Sequence, residues 1–334
     1  MTEPALVLKR RLQDVGLSGP AINAAWPRWW SDAAEASSSS RAELRFSLAR
    51  KLGLDPASLL DEGSAPRFVW RDEARFKHRT TEGELELAAI TSFGKALSGI
   101  LLTASPSDDK RELPDALTLR RMILGSQPYV RLVDLLSICW SFAIPVIHLR
   151  VFPCAQKRMA AMTVHGKLGS AILLGKDSDY PANLAFYLAH ELAHVALGHL
   201  QTGDAIVDLE TLELSPANDA EEFAADEYAL ELLTGAPRPV VLPHARRYTA
   251  RQLAADAMAS SNELRIEPGT LALCFGYSTS DWRTANAAMK SIYTAPKPAW
   301  TEINRIARMQ MHTDFITEDS RTYLESVLGS GEPS

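Results

Sequence analysis

The sequence has few cysteines and no uninterrupted apolar run long enough to span a membrane. These features argue against a disulfide-rich secreted protein and against a membrane-anchored one. Its 334 residues include three cysteines, Cys139, Cys154 and Cys274, which are odd in number and widely spaced. They form no closely spaced pair of the kind that holds a metal ion, and they suit a reducing compartment. No stretch approaches the roughly 18 to 20 uncharged apolar residues of a membrane span, and the first residues lack a signal-peptide pattern. We therefore expect a cytoplasmic protein without a membrane anchor.

The charge balance of the chain is mildly acidic. The sequence carries 35 Lys and Arg against 41 Asp and Glu, a formal net charge of −6. Residues 1–80 contain 13 basic and 10 acidic side chains, and this surplus is small for a protein that binds a phosphate backbone. Charge therefore gives no general argument for nucleic-acid binding, although DNA contact by the N-terminal region stays open as an alternative to protein contact.

One short motif carries most of the functional information. Residues 190–194 read His-Glu-Leu-Ala-His, within an apolar run that predicts a helix from Leu184 to Leu200. Positions i and i+4 share one face of a helix, so His190 and His194 can direct two imidazole nitrogens at one metal ion. Glu191 can face the same ion and act as the general base on water. The alternative is a purely structural helix, in which three buried polar side chains would be costly without partners.

The third ligand has to come from outside this motif, because a catalytic zinc ion is held by three protein side chains. His199 follows the second histidine by five residues, about 140° around a helix, so we expect it to point elsewhere. A better source is the helix predicted near residues 219–230, where Glu222 and Asp226 share a face. We predict Glu222 as the ligand, with Glu221 as its main rival, and Asp226 as the acceptor that orients a ligand histidine. The alternative for these acids is a solvated helix face.

Several regions of the chain resemble the ImmA/IrrE family of zinc metallopeptidases. Residues 135–151 are similar to the family's helix and strand at the entry to the catalytic domain, and residues 158–179 to its strand pair. Residues 184–200 and 222–233 resemble the active-site helix and the helix that carries the ligand glutamate, which falls on Glu222. The second helix departs from the family pattern, because Glu, Asn and Phe of the family are replaced here by Ala224, Asp226 and Tyr228. These departures move the pattern towards the ExxAD motif of another HExxH group.

The resemblance implies a cytoplasmic, gluzincin-like zinc metalloendopeptidase with His190, His194 and Glu222 as ligands and Glu191 as the catalytic residue. It also implies a protein substrate, either a transcriptional repressor or an antitoxin-like regulator, and so a role in transcription regulation or stress response. The expected fold class is α+β and mainly helical, with a zincin-like core made of a small antiparallel sheet and the active-site helix. The alternative is a DNA- or protein-binding regulator that retains the zinc site and has little peptidase activity.

The predicted organisation has four segments, and 46% hydrophobic residues are enough for two or three packed domains. Residues 1–62 form short helices, of which residues 46–55 are similar to the closing helices of Xre-type helix-turn-helix domains. Residues 63–80 are expected to be a linker, and residues 81–240 the metallopeptidase domain. Residues 241–334 are expected to form a C-terminal helical region.

Two expectations concern how a substrate would be handled. The strand predicted at Ser170–Leu174 precedes the active helix, and if it lies at a sheet edge an extended substrate could pair along it. Peptide hydrolysis also needs a donor that stabilises the oxyanion. The sequence offers candidates without ranking them: Tyr228, His244, Arg246 and Tyr248.

Overall fold

The protein has an α+β fold in which helices dominate and five short strands form one mixed sheet. The computed structural model describes residues 3–70, 74–76, 83–106, 112–155, 159–209, 220–240, 248–295 and 297–329. The mainly helical α+β class predicted from the sequence is confirmed.

The helices and strands have the following bounds. The strands are β1 (Ala74–Phe76), β2 (Val146–His148), β3 (Met159–Gly166), β4 (Gly169–Leu174) and β5 (Ala205–Leu209). The helices of the first half are α1 (Glu3–Asp14), α2 (Gly19–Ala25), α3 (Asp32–Ala36), α4 (Ser38–Leu52), α5 (Pro56–Leu60), α6 (Glu84–Thr103), α7 (Ala116–Leu124) and α8 (Leu132–Ser141). The remaining helices are α9 (Pro181–Ala196), α10 (Ala220–Thr234), α11 (Ala250–Leu264), α12 (Pro268–Thr279), α13 (Trp282–Ile292), α14 (Trp300–Gln310) and α15 (Glu318–Leu328).

The sheet has the order β1-β5-β3-β4-β2, and it is not the antiparallel sheet that the sequence predicted. The inner pairs β3–β4 and β3–β5 are antiparallel, but β2 pairs with β4 and β1 pairs with β5 in parallel. A tight hairpin joins β3 to β4 and forces an antiparallel pair, whereas strands joined by long connections are free to align in parallel. The prediction was therefore correct for the inner strands and wrong for both edges.

The strand that precedes the active helix lies inside the sheet, so the free edge on which substrate pairing was made conditional is not present along most of its length. Residues Ile172–Leu174 of β4 pair with β2 on the side away from β3. The carbonyl of Pro145 accepts the N–H of Ile172, but a proline has no N–H to continue the ladder backwards. Only residues 169–171 of β4 extend beyond the end of β2.

The two faces of the sheet are covered by two apolar helices. Met162 and Leu173 point to the face covered by α6, where a side chain at Gly94 would begin 2.2 Å from the sulfur of Met162. Thr163 and Ile172, the next residues along each strand, point to the opposite face, which α9 covers. The sheet thus separates two hydrophobic cores, and a third core lies among α11, α12 and α13.

The N-terminal helices share the α6-side core with the end of the chain. Buried residues of α1, α2 and α4 belong to the same hydrophobic cluster as Leu324 and Val327 of α15. The Lys51 ammonium group donates to the carboxylate of Asp319 at 2.7 Å, and the Tyr323 hydroxyl donates to the Lys51 carbonyl. Within the segment expected as a linker, β1 is an edge strand of the sheet.

Helix α6 is, among the described residues, the helix long and apolar enough to cross a membrane by length and composition. Of its most apolar window, 78% is buried inside the protein. A helix covered by its own protein in this way has the burial of a core helix, since a membrane-spanning helix exposes apolar side chains to lipid. The cytoplasmic location stays a prediction.

Candidate metal centre

Helix α9 carries the His-Glu-Leu-Ala-His motif in its last two turns. It begins at Pro181, whose fixed backbone suits a first helical position, and its apolar side chains pack into the core shared with α8 and α10. This packing buries the motif as well: His190 is 4% exposed, and Glu191 and His194 are 0% exposed. The polar residues therefore need partners inside the protein.

Three donor atoms of His190, His194 and Glu222 converge in this interior. The two imidazole Nε2 atoms lie 3.1 Å apart, and the Glu222 carboxylate oxygens lie 3.3 Å from that of His190 and 3.5 Å from that of His194. A tetrahedral zinc ion with bonds of roughly 2.0–2.1 Å separates its ligand atoms by about 3.3 Å. The observed spacing therefore fits a single ion held by these three side chains.

The protonation of the histidine donors is also compatible with a bound cation. His190 Nδ1 lies 2.8 Å from the Asp226 Oδ1 atom, which as a carboxylate oxygen accepts the proton of Nδ1. The lone pair of His190 Nε2 is then directed at His194 and at the Glu222 carboxylate. Lone pairs held this close in a buried site repel one another, and either a proton on one of the atoms or a metal cation between them removes that repulsion. The group could thus bind a metal ion, and the donors alone leave the identity of that ion open.

The acidic residues of α10 that the sequence singled out have different places relative to the donor group. Among the described residues, the converging donor group includes Glu222 and not its rival Glu221. Asp226 lies one turn later and contacts His190, at the position expected for an acceptor that orients a ligand. Its side chain is 43% exposed, so it bridges the buried histidine and the surface.

Thr163 is a site residue that the sequence analysis missed. Its hydroxyl donates to the Glu191 Oε2 atom at 2.6 Å, from the face of β3 that α9 covers. The signal for it was the alternation of β3, because a hydroxyl residue among Ala161 and other apolar neighbours on a core-facing position needs a polar partner.

His199 does not point away from the site, which corrects the helical-wheel expectation. Its Nδ1 atom lies 2.9 Å from His194 Nδ1, with the ring centroids 5.1 Å apart. The 140° rotation does not apply because α9 ends at Ala196. Gly198 then adopts a left-handed conformation with φ of 68°, and the N–H of His199 donates to the carbonyl of His194.

Of the candidate oxyanion donors, the two that the structure describes contact residues outside the donor group. Tyr228 is buried and its hydroxyl donates to the Pro114 carbonyl at 3.0 Å, while burial raises the pKa of the phenol well above its usual range. Tyr248 packs against Phe275 in the core of the C-terminal helices. His244 and Arg246 lie outside the described residues.

Comparison of the chain with protein-family models, with curated proteins and with solved structures found no match. The resemblance to ImmA/IrrE peptidases therefore stays a hypothesis carried by the motifs quoted above.

Proposed function

We propose that this protein is a zinc-dependent peptidase with His190, His194 and Glu222 as ligands and Glu191 as general base. The convergence of the three donors next to a buried glutamate carries the proposal. Two imidazoles and a carboxylate form the ligand set of many catalytic zinc sites, which keep a fourth position open. Nitrogen and oxygen donors in tetrahedral spacing favour zinc over the larger, oxygen-seeking cations.

Each residue around the donors has a separate role in the proposed hydrolysis. A zinc ion, when bound, supplies Lewis-acid polarisation of a peptide carbonyl and makes water a stronger acid. The carboxylate of Glu191 takes a proton from the attacking water and passes it to the amine that leaves. The Thr163 hydroxyl donates to one carboxylate oxygen and so fixes the orientation of the general base. Asp226 fixes the ring of His190 in the same way.

The substrate we propose is an extended segment of a protein, such as a transcriptional repressor or an antitoxin-like regulator. The fully buried Glu191 and His194 cannot touch the surface of a rigid, folded partner. A cavity of about 680 Å³ lies beside the end of α9, between Val195 and the open end of β4 at Ser170. The backbone of β4 beyond β2 offers an extended chain a place to pair, next to room for its side chains.

A second candidate function follows from the same burial. With the general base and one ligand histidine at 0% exposure, a substrate reaches the site only if the structure opens. A regulator that uses the metal ion to hold α9 against α10, and that binds a partner without cutting it, needs no such opening. The two functions differ in whether Glu191 contributes anything beyond its packing.

Metal analysis of the purified full-length protein tests the site. We expect one zinc per chain for the wild type and little for His194→Ala. His165→Ala is the matched control, because His165 contacts Ser170 at the β3–β4 hairpin and lies outside the donor group. Undiminished zinc in His194→Ala, or equal loss in the control, contradicts the assignment of ligands.

The general base is tested with Glu191→Gln. We expect this variant to keep its zinc, and to cut candidate repressor or antitoxin-like partners about 10²–10⁴-fold more slowly than the wild type. Equal cleavage by both proteins rejects the proposed mechanism. A wild type that binds such a partner through a full zinc site without cutting it supports the regulator.

A further inference from the structure

We propose that His199 is a positioning residue of the metal site. Its Nδ1 atom accepts the Nδ1–H of His194 and thereby holds the His194 ring with Nε2 directed at the metal ion. This inference rests on the proposed metal site and deepens it, because it assigns a task to a histidine outside the ligand set.

The direction of this hydrogen bond follows from ligation. A histidine that binds a metal through Nε2 has to carry its proton on Nδ1, and that proton needs an acceptor in a buried site. His194 is fully buried, with Nε2 towards His190 and Glu222 and with Nδ1 at 2.9 Å from His199 Nδ1. His199 therefore accepts at Nδ1 and carries its own proton on Nε2.

The backbone after the active helix places the ring of His199. Residues in the left-handed region are strained unless they are glycine, and Gly198 provides that conformation directly after the helix. The N–H of His199 then donates to the carbonyl of His194, the same residue that its ring contacts. Two contacts to one residue, one from the backbone and one from the ring, give His199 a defined position.

The charge around the donors explains why a neutral acceptor suits His194. Glu191, Glu222 and Asp226 already place three carboxylates around the two histidines, against the two positive charges of one zinc ion. A fourth carboxylate on His194 would add an uncompensated charge to the most buried part of the site, which is costly. An imidazole supplies the lone pair without the charge. The two ligand histidines thus have different supports, a partly exposed carboxylate and a neutral ring.

The test compares His199→Asn with His199→Leu in the full-length protein. The amide oxygen of asparagine can accept a hydrogen bond near the position of Nδ1, whereas leucine has similar bulk and no acceptor. Competition with a colorimetric chelator measures zinc affinity, and we expect a loss of about 10–100-fold for His199→Leu. Zinc affinity of His199→Asn should stay within about threefold of wild type, the rescue that an acceptor role predicts. His165→Leu, another half-buried histidine outside the site, is the control.

Each outcome has a distinct meaning. Equal zinc affinity of wild type and both variants overturns the role of His199. Equal loss in both variants also overturns it, because the acceptor of asparagine would then restore nothing, and a larger loss for His199→Asn than for His199→Leu would show that the ring only fills space. Nitrogen-15 NMR of the zinc-loaded wild type should show His194 protonated at Nδ1, and a proton at Nε2 instead would also overturn it. A wild type that binds no zinc overturns the proposed function together with this inference. A zinc-binding protein that cuts no partner leaves this inference standing.

Discussion

Helices α6 and α9 lie on opposite faces of the same sheet, and both bury polar side chains in apolar surroundings. On α6, Thr91 donates to the Leu87 carbonyl and Ser92 donates to the Trp70 carbonyl, so both hydroxyls bond to backbone groups. On α9 they bond to side chains of other elements, as His190 does to Asp226 and Glu191 to Thr163. Burial is therefore the same on the two helices, and the kind of partner differs.

The difference distinguishes the polar residues of α6 from those of α9, which we propose to be functional. A side chain that bonds to a nearby backbone carbonyl is satisfied by a group that every residue provides, so it places few demands on the rest of the sequence. Side chains that depend on one another across α9, α10 and β3 form a network whose members need each other's charge and protonation state. Such a network fits the proposed metal binding, because well-packed apolar residues would often serve stability alone as well or better.

Removing the metal should have the largest effect of the changes considered, and it should destabilise α9 much more than α6. An ion present at about 1,000 times its dissociation constant stabilises the native state by about 4 kcal/mol. Hydrogen exchange with and without a chelator should therefore show loss of protection in α9 and α10, which the ligands connect, and little change in α6. Equal loss in α6 and α9, or none in either, contradicts the proposal that the donors of α9 hold an ion.

Asp226→Ala removes one member of the network and none of its ligands. We expect zinc affinity to fall by about 10–100-fold with the fold intact, because the His190 ring loses the acceptor of its Nδ1–H. Glu227→Ala is the matched control, since the next residue on α10 is rotated by about 100°. A chelation curve of Asp226→Ala that overlays the wild type would make Asp226 a surface carboxylate.

Thr163→Val removes a hydroxyl group from β3, beneath α9, and leaves the volume of the side chain almost unchanged. Valine has the size of threonine, so the buried Glu191 carboxylate loses a donor and gains no space. Hydrogen bonds to charged groups contribute about 1.5–3 kcal/mol, and we expect the free energy of unfolding at neutral pH to fall by that amount. Zinc content should stay at one per chain, and cleavage of a partner should slow, because the general base is less well oriented. Unchanged stability in urea unfolding contradicts the contact.

The site could be predicted from the sequence as far as helical periodicity reaches. Spacing within α9 and α10 placed His190, His194, Glu222 and Asp226 on shared faces, and the structure brings these four side chains together. Where the helix stops, the same reasoning failed for His199, because a left-handed glycine changes the direction of the chain.

Contacts between distant segments were beyond the reach of local patterns. The partnership of Thr163 with Glu191 depends on strand register, and the parallel edges of the sheet depend on how β1 and β2 arrive from other parts of the chain. The hydrogen bond from the Tyr228 hydroxyl to the Pro114 carbonyl likewise depends on tertiary packing, so no local pattern could predict it.

Thr91→Val is the counterpart of Thr163→Val on the other face of the sheet, and we expect the smallest effect from it. Both threonines are 0% exposed, and the substitution is the same. The hydroxyl of Thr91 donates to Leu87, four residues earlier, whose carbonyl is also the acceptor of the ordinary helical N–H bond, so valine leaves no buried group without a partner. The free energy of unfolding should change by less than about 1 kcal/mol, and zinc content and cleavage should match the wild type. If urea unfolding shows Thr91→Val to be as damaging as Thr163→Val, the kind of partner does not matter, and the contrast between α6 and α9 reduces to burial alone.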